Sequence, residues 1–176
     1  CKNVHASTSI VQSVLKESPD IIHIAAHGIY KAPVAKNNAI DWDSLHYAMQ
    51  HSGIILAENA LLSAATLSTL DLSNTKLAVL SCCHSGQAAY LGTEGAYGLR
   101  RSLLLAGCHA LIISLWQVDD AASYLWMNAF YEAFTLYDAS IEEAFSIAQE
   151  TVKTYEQDGT TPFANPYFWA GFILVS

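Results

Sequence analysis

A cysteine and a histidine, the residue types that act together in many thiol-dependent enzymes, each follow an apolar run in this chain. His27 comes directly after the run 21–26, and Cys83 lies shortly after the run 77–80. A thiol attacks only as the thiolate, and an imidazole beside it that takes the proton supplies that form near neutral pH. The pair therefore predicts nucleophilic catalysis by Cys83 with His27 as the general base.

Only a fold can bring these two residues together, because they are far apart in the sequence. The runs 21–26 and 77–81 are apolar without alternation, which is typical of strands covered on both faces. Adjacent strands of a parallel sheet have their carboxyl ends at one edge, where α/β proteins bind ligands. We therefore expect His27 and Cys83 to meet at such an edge.

Strands alternate with helices along the chain, which favours an α/β fold, a three-layer α/β/α sandwich around a mostly parallel sheet. The expected strands are 2–6, 21–26, 77–81, 110–115 and 167–175, with a hairpin arm at 54–56. The expected helices are 8–17, 44–50, 62–70, 97–106, 121–137 and 141–155. Apart from the helix 44–50, the stretches 29–52 and 82–95 are interpreted as long loops of the kind that often carries function.

Composition limits the classes of function. The 176 residues, 52% apolar and 14% charged, suffice for one substantial core, so residues 1–176 are interpreted as a single domain. The net charge of −8 argues against nucleic-acid binding and favours a basic ligand or peptide. The longest apolar stretch, 103–116, is shorter than the roughly 20 residues that cross a bilayer, so we expect no membrane contact. The adjacent pair among the four cysteines is a poor disulfide framework, which favours a reducing cytoplasm.

Each candidate site residue also has a structural interpretation. Cys83 fits equally well as a small buried residue at a strand end, and Cys82 competes with it as the nucleophile. The glycine turn that follows favours Cys83 of the two. His27 competes as a turn or capping residue, His23 is interpreted as a core histidine, and His84 as an exposed neighbour of the thiol.

Backbone amides at Gly28 and Cys83 are the predicted donors of an oxyanion hole. Glycine lets a backbone amide approach a substrate closely, as such a donor must. A zinc site built from the same histidines and cysteines is the less favoured alternative, because adjacent cysteines chelate one ion awkwardly and the usual ligand spacings are absent. We expect neither a metal nor an organic cofactor in the chemistry.

Three carboxylates are candidates to receive a basic substrate side chain. Asp119 and Asp120 stand between a predicted strand and a predicted helix, where one of them is expected to cap the helix. The other is expected to line a specificity pocket, and Glu94, in the glycine-containing loop, is a weaker candidate for the same task. Trp116 is interpreted as a pocket wall or a core residue.

Four blocks of the sequence resemble the CHAT domain, a caspase-like peptidase family related to separase and often fused to tetratricopeptide repeats. The blocks are IHIAAHG at 22–28, LSCCHSG at 80–86, GCHALIISLWQVDD at 107–120 and NPYFWAGF at 165–172. The resemblance implies a caspase-haemoglobinase fold and a cysteine endopeptidase with His27 as base and Cys83 as nucleophile. It also implies oxyanion donors at Gly28 and Cys83, and a basic side chain received by Asp120 or, failing it, by Asp119.

The chain departs from the family pattern in two respects. Cys82 stands where the family has a small residue before the nucleophile, and His84 stands where a polar or acidic residue is common. The family fold also has a strand before the segment 2–6, central in the sheet, and the present sequence does not contain that strand. We therefore expect this chain to be part of a larger protein whose upstream segment completes the sheet.

The expected function is cleavage of a protein partner through a thioester acyl-enzyme, gated by an upstream repeat or sensor region. Two rival hypotheses remain open. The first is a catalytically silent caspase-like module for protein–protein interaction. The second is a thiol-dependent redox or acyl-transfer enzyme centred on Cys82 and Cys83.

Overall fold

The computed structural model describes residues 6–31, 33, 35–36, 39–40, 42–84 and 92–176, with the backbone alone at 35–36, 39–40, 82–84 and 92–97. The predicted first strand, 2–6, falls outside these residues except for Ala6. The strands are β1 (Ile21–Ile29), β2 (Ala35–Lys36), β3 (Ala39–Ile40), β4 (Gly53–Ile55), β5 (Leu61–Ser63), β6 (Leu77–His84), β7 (Leu111–Ser114) and β8 (Phe172–Val175). The helices are α1 (Thr8–Leu15), α2 (Trp42–His51), α3 (Ala64–Leu67), α4 (Gly92–Leu105), α5 (Asp120–Leu136), α6 (Ile141–Lys153) and α7 (Pro166–Trp169).

Six strands form the main sheet, and β2 and β3 form a separate small hairpin. The neighbours β1, β6 and β7 are parallel, and their longest pairing extends from Ile21 opposite Leu77 to Gly28 opposite His84. Strands β4 and β5 extend the sheet on the other side of β1 with antiparallel pairing, in the order β5-β4-β1-β6-β7. The α/β fold with a mostly parallel sheet is confirmed.

The chain divides into two compact units, Cys1–Leu115 with Val175–Ser176, and Trp116–Leu174. The core of the first unit contains large, fully buried side chains, namely Ile54, Leu62, Leu67, Leu72, Leu77, Leu103, Leu111 and Ile112. In the second unit, Trp126 is fully buried, and its ring lies within 5.4 Å, centroid to centroid, of Phe130, Phe145 and Phe172. No helix among the described residues is long and apolar enough to cross a membrane.

Strand β1 differs from its prediction in both length and burial. It continues to Ile29 instead of ending before His27, because Gly28 and Ile29 pair with Ile54 and Gly53 of β4. It is also not covered on both faces, since Ile22 and Gly28 are its only buried residues. His27 therefore lies within a strand and not at its end.

Local capping explains two further differences. The segment 167–169 is helical and not the start of the last strand, because the Asn165 side chain accepts a hydrogen bond from the Tyr167 amide at 2.9 Å and Pro166 occupies the first turn. Helix α3 is shorter than the predicted 62–70, because residues 61–63 pair with β4 and Ser63 caps the helix.

The predicted loop 82–95 is shorter than expected. Strand β6 continues to His84, and α4 already begins at Gly92, whereas its predicted start was residue 97. Glu94 therefore lies in a helix and not in a loop. The other end of α4 agrees with expectation: Gly107 adopts a φ of 98°, and its amide donates to the Leu104 carbonyl at 3.0 Å.

Candidate active site

His27 and Cys83 occupy directly opposed positions on adjacent parallel strands. In the register of β1 and β6, His27 is the partner of Cys83, Ala26 of Cys82 and Gly28 of His84. Neighbouring strands lie about 4.8 Å apart, so the two backbones are as close as a sheet allows. The fold thus brings together the two residues that the sequence singled out for a dyad, and their juxtaposition does not depend on loop conformation.

Strand β6 is anchored in the core immediately before the cysteines. The residues from Leu77 to Leu80 are at most 2% exposed, and burial becomes partial at Ser81. The first half of the strand therefore fixes the position of its second half. This agrees with the prediction that the apolar run before the cysteines forms a buried strand.

The side chain of His27 is exposed to solvent. An exposed imidazole can exchange protons with water, as a general base must do when it activates a hydrolytic water molecule. Gly28, the predicted oxyanion donor, is buried and has strand partners on both sides, Ile54 and His84. It is thus a residue of the sheet itself and not of a loop after the sheet.

His23, four residues before His27 on the same strand, is not the core histidine that the sequence predicted. Its side chain is exposed, although neighbouring groups remove enough water from the ring to lower its pKa. Its register partner on β6 is Val79. His23 therefore lies four residues before His27, the residue opposite Cys83, on the same strand.

Two of the three predicted specificity residues, Asp119 and Asp120, belong to the second unit, whereas Glu94 belongs to the first. The Asp119 side chain caps α5 by accepting a hydrogen bond from the Ala122 amide at 3.0 Å. Asp120, the first residue of α5, is exposed. The expected division of roles is thus half confirmed, because Asp119 is the capping residue and Asp120 is not engaged in the cap.

Trp116 is partly buried and held by a contact that the sequence analysis did not anticipate. Its Nε1 donates to the Tyr167 carbonyl at 3.1 Å, and the two rings stack with centroids 6.2 Å apart. The Tyr167 hydroxyl in turn donates to the Gln117 carbonyl at 2.8 Å. The Asn165-Pro166 pair signals the start of the helix that carries Tyr167, but nothing in the sequence signals the contact of Tyr167 with Trp116.

A Cβ added at Gly171 would overlap Val118 Cγ1, which explains a glycine at this position.

The side chains of Cys82, Cys83, His84 and Glu94 lie outside the described part of the structure. Among the side chains that are described, no group of three or more histidine, cysteine or acidic residues is placed to hold a metal ion.

A family model for the CHAT domain matches residues 3–176. This chain belongs to the CHAT domain family. Similar curated proteins are Tetratricopeptide repeat protein 28 of Mus musculus, 34% identical over 118 residues, and that of Homo sapiens, 31% identical over 121 residues. The matched stretches cover 65% and 67% of this chain. This CHAT domain spans 4% of the length of each of these relatives.

Proposed function

We propose that this CHAT domain is a cysteine endopeptidase that cleaves a protein partner, with Cys83 as the nucleophile and His27 as the base. The observation that carries the proposal is the register of β1 and β6, which puts these two positions opposite each other. The CHAT family is of caspase-like peptidase type, which makes peptide hydrolysis the reaction class that fits a cysteine and a histidine so placed.

The reaction proceeds through two half-reactions. His27 takes the proton of the Cys83 thiol, and the thiolate attacks the carbonyl carbon of the scissile peptide bond. Backbone amides of Gly28 and Cys83 stabilise the negative charge that develops on the carbonyl oxygen. The C–N bond then breaks, and the amine product leaves with the proton from His27. In the second half-reaction, His27 takes a proton from a water molecule as the water oxygen attacks the thioester carbon. The C–S bond then breaks, the acid product leaves, and His27 returns the proton to the Cys83 thiolate.

Cys83 is preferred to Cys82 because of the register. The partner of Cys82 is Ala26, which has no proton-accepting side chain, whereas the partner of Cys83 is His27. This preference also separates the peptidase from a redox or acyl-transfer enzyme that depends on both thiols. A peptidase of this type tolerates loss of Cys82, and a dithiol enzyme does not.

Control by a partner region completes the proposal. The curated relatives are named for tetratricopeptide repeats, and their length outside the matched stretch leaves room for a regulatory region. We assign the gating of Cys83 to a repeat or sensor region of this kind. The predicted gating loops, 29–52 and 82–95, include residues outside the described structure, and α2 and the β2–β3 hairpin occupy part of the first.

Alkylation of the intact protein tests the dyad without a known substrate. Iodoacetamide is added for increasing times, and the modified cysteines are mapped by mass spectrometry in the parent, His27→Ala and, as a control, His46→Ala, which removes an exposed histidine of α2. The proposal expects selective labelling of Cys83, slowed at least tenfold in His27→Ala and unchanged in His46→Ala. Equal labelling of Cys82 and Cys83 with no effect of His27 would contradict it and favour a silent interaction module.

A further inference from the structure

The charge of this chain is unevenly distributed between its two units. The second unit, 116–174, contains nine acidic residues and one basic residue, Lys153, so its side chains carry a net charge of −8. The first unit contains seven acidic and seven basic residues and is neutral. Lys153 is already paired with Glu150 at 3.0 Å. The whole net charge of the chain therefore lies in the second unit, which favours contact with a basic surface.

An open groove of about 630 Å³ in the second unit combines acidic and apolar side chains. This acidic groove lies between the residues that follow α5 and the first turns of α6, and its large apolar side chains are Tyr137 and Ile147, 72% and 47% exposed. Of its three carboxylates, Glu143 caps α6, whereas Asp138 and Glu142 are exposed and have no ion pair among the described residues. The lysine of this unit lies about 16 Å from Glu142 along α6, beyond the screening length of about 8 Å, so it leaves their charge in place.

A surface of the complementary kind lies on α4, in the first unit. Its last residues include Arg101, which is exposed, and Leu104 and Leu105, 38% and 62% exposed. Spacings of three and four residues put these three side chains on one face of the helix, the α4 face. Arg101 forms no ion pair within the described part of the structure, and with Arg100 it makes the only adjacent pair of basic residues in the sequence. The α4 face is therefore basic and apolar, as the groove is acidic and apolar.

Charged and apolar residues follow each other in the same order on α4 and on α6. Leu105 comes about 6 Å after Arg101 along the axis of α4, and Ile147 comes about 7.5 Å after Glu142 along the axis of α6. If the two helices lie side by side and run in the same direction, the arginine meets the glutamate and the leucine meets the isoleucine. The opposite direction would put the arginine against apolar side chains.

We propose that the α4 face of one copy of this chain docks in the acidic groove of a second copy, with α4 parallel to α6. Arg101 pairs with Glu142, and Leu105 enters between Tyr137 and Ile147. Because the contact joins two different surfaces, the copies associate head to tail. One helix end in one groove buries less than the roughly 1,200 Å² of a standard interface, so the association is weak and the monomer prevails in dilute solution. The proposal is independent of the peptidase activity.

Sedimentation velocity of the intact protein tests the association. The weight-average sedimentation coefficient of the parent should rise between about 0.01 and 1 mM, the range in which a small interface forms. Arg101→Glu and Glu142→Arg each put like charges on both sides of the contact, so either variant alone should associate at least tenfold more weakly. An equimolar mixture offers the intact α4 face of one variant to the intact groove of the other, so association should return.

The matched controls are Lys16→Glu, after α1, and Glu156→Arg, after α6. They change the net charge by the same amounts at exposed positions outside both surfaces, and they should associate like the parent. Far-ultraviolet circular dichroism reports whether each variant is folded. A parent that stays monomeric, a control that loses association, or a mixture of folded variants that does not regain it would overturn the proposal.

A diazirine amino acid at position 105 identifies the surface that the α4 face contacts. Mixed light and heavy isotope-labelled protein separates links between copies from links within one chain. Links between copies, to residues 137–147, are the expected result. Links within one chain, links to other residues of a second copy, or links to a different protein would contradict the proposed contact even if the protein associates.

Discussion

His27 and Cys83 are register partners on β1 and β6, so the backbones of both residues are held by the same hydrogen-bonded ladder. The ladder starts at Ile21 and Leu77 and reaches the two residues near its far end. On β6, the part of the ladder before the cysteines is buried in the core. The relative position of the candidate nucleophile and base therefore depends on core packing several residues away.

Truncation of Leu80 should therefore destabilise the protein. Leu80 is 2% exposed, and replacing a buried leucine by alanine removes apolar contacts and leaves a cavity. Leu80→Ala should lower the free energy of unfolding by about 2–5 kcal/mol. The same substitution at Leu105, 62% exposed at the end of α4, should change it by less than about 1 kcal/mol. Urea unfolding of both variants makes the comparison, and equal effects would show that β6 is not the anchor described.

The two adjacent aspartates should differ in their contribution to stability. Asp119→Ala removes the cap of α5 and should cost about 1 kcal/mol of stability, whereas Asp119→Asn keeps an equally good capping side chain. Asp120→Asn should leave stability nearly unchanged. Urea unfolding measures all three variants. Loss of stability in Asp120→Asn with no loss in Asp119→Ala would reverse the assignment.

Two Gly→Ala substitutions should have opposite effects on stability. A Cβ at Gly171 overlaps the Val118 side chain, and forcing such an overlap costs about 1–3 kcal/mol. A Cβ at Gly98, inside α4, meets nothing within 4 Å, so alanine there should stabilise the protein by about 0.5–1 kcal/mol. Thermal unfolding measures both changes. Val118→Ala combined with Gly171→Ala should recover part of the loss, and failure to do so would place the strain elsewhere.

Tyr131 on α5 should contribute to unfolding at alkaline pH. Burial raises the pKa of Tyr131 to about 12, above the value of about 10 for a tyrosine in an unfolded chain. The neutral phenol is thus favoured in the folded state. Its stabilising contribution is complete below about pH 10 and is lost as the pH rises through about 12. The free energy of unfolding should fall less steeply over this range in Tyr131→Phe than in the parent.

The control for this measurement is Tyr124→Phe, on the same helix but 69% exposed. It should keep the slope of the parent. If the free energy of unfolding falls with the same slope in both variants between pH 10 and 12, the burial of Tyr131 is not the cause of the loss of stability at alkaline pH.

The sequence predicted best those helices and strands whose type and bounds are determined by their own residues. The mostly apolar runs 77–81 and 110–115 correspond to β6 and β7, and α5 agrees with its expected range within a residue at each end. Helix α6 begins at the capping box of Ser140 and Glu143, a local signal. These features need no information from distant parts of the chain.

Apart from the segment 167–169, which a local cap makes helical, the elements that were wrong depend on partners distant in sequence. Nothing within 21–29 indicates that β4 pairs with Gly28 and Ile29, and this pairing is what extends β1 past His27. Likewise, the exposure of the β1 side chains depends on what packs against the faces of the strand and not on its composition alone. The juxtaposition of His27 and Cys83 was predictable from the rule for parallel strands, whereas the stack of Trp116 on Tyr167 was not, because it joins residues of a loop and of a short helix.

Because β6 carries two consecutive cysteines, the alignment of β6 against β1 determines which of the two lies opposite His27. If β6 slipped by one residue against β1, Cys82 would replace Cys83 opposite His27. A misaligned sheet would then be reported by a change in which thiol reacts faster, with no substrate needed. Under the proposed dyad, the ratio of alkylated Cys83 to alkylated Cys82 therefore measures correct folding, and it can be followed in refolding reactions, in destabilised variants and in cell extracts.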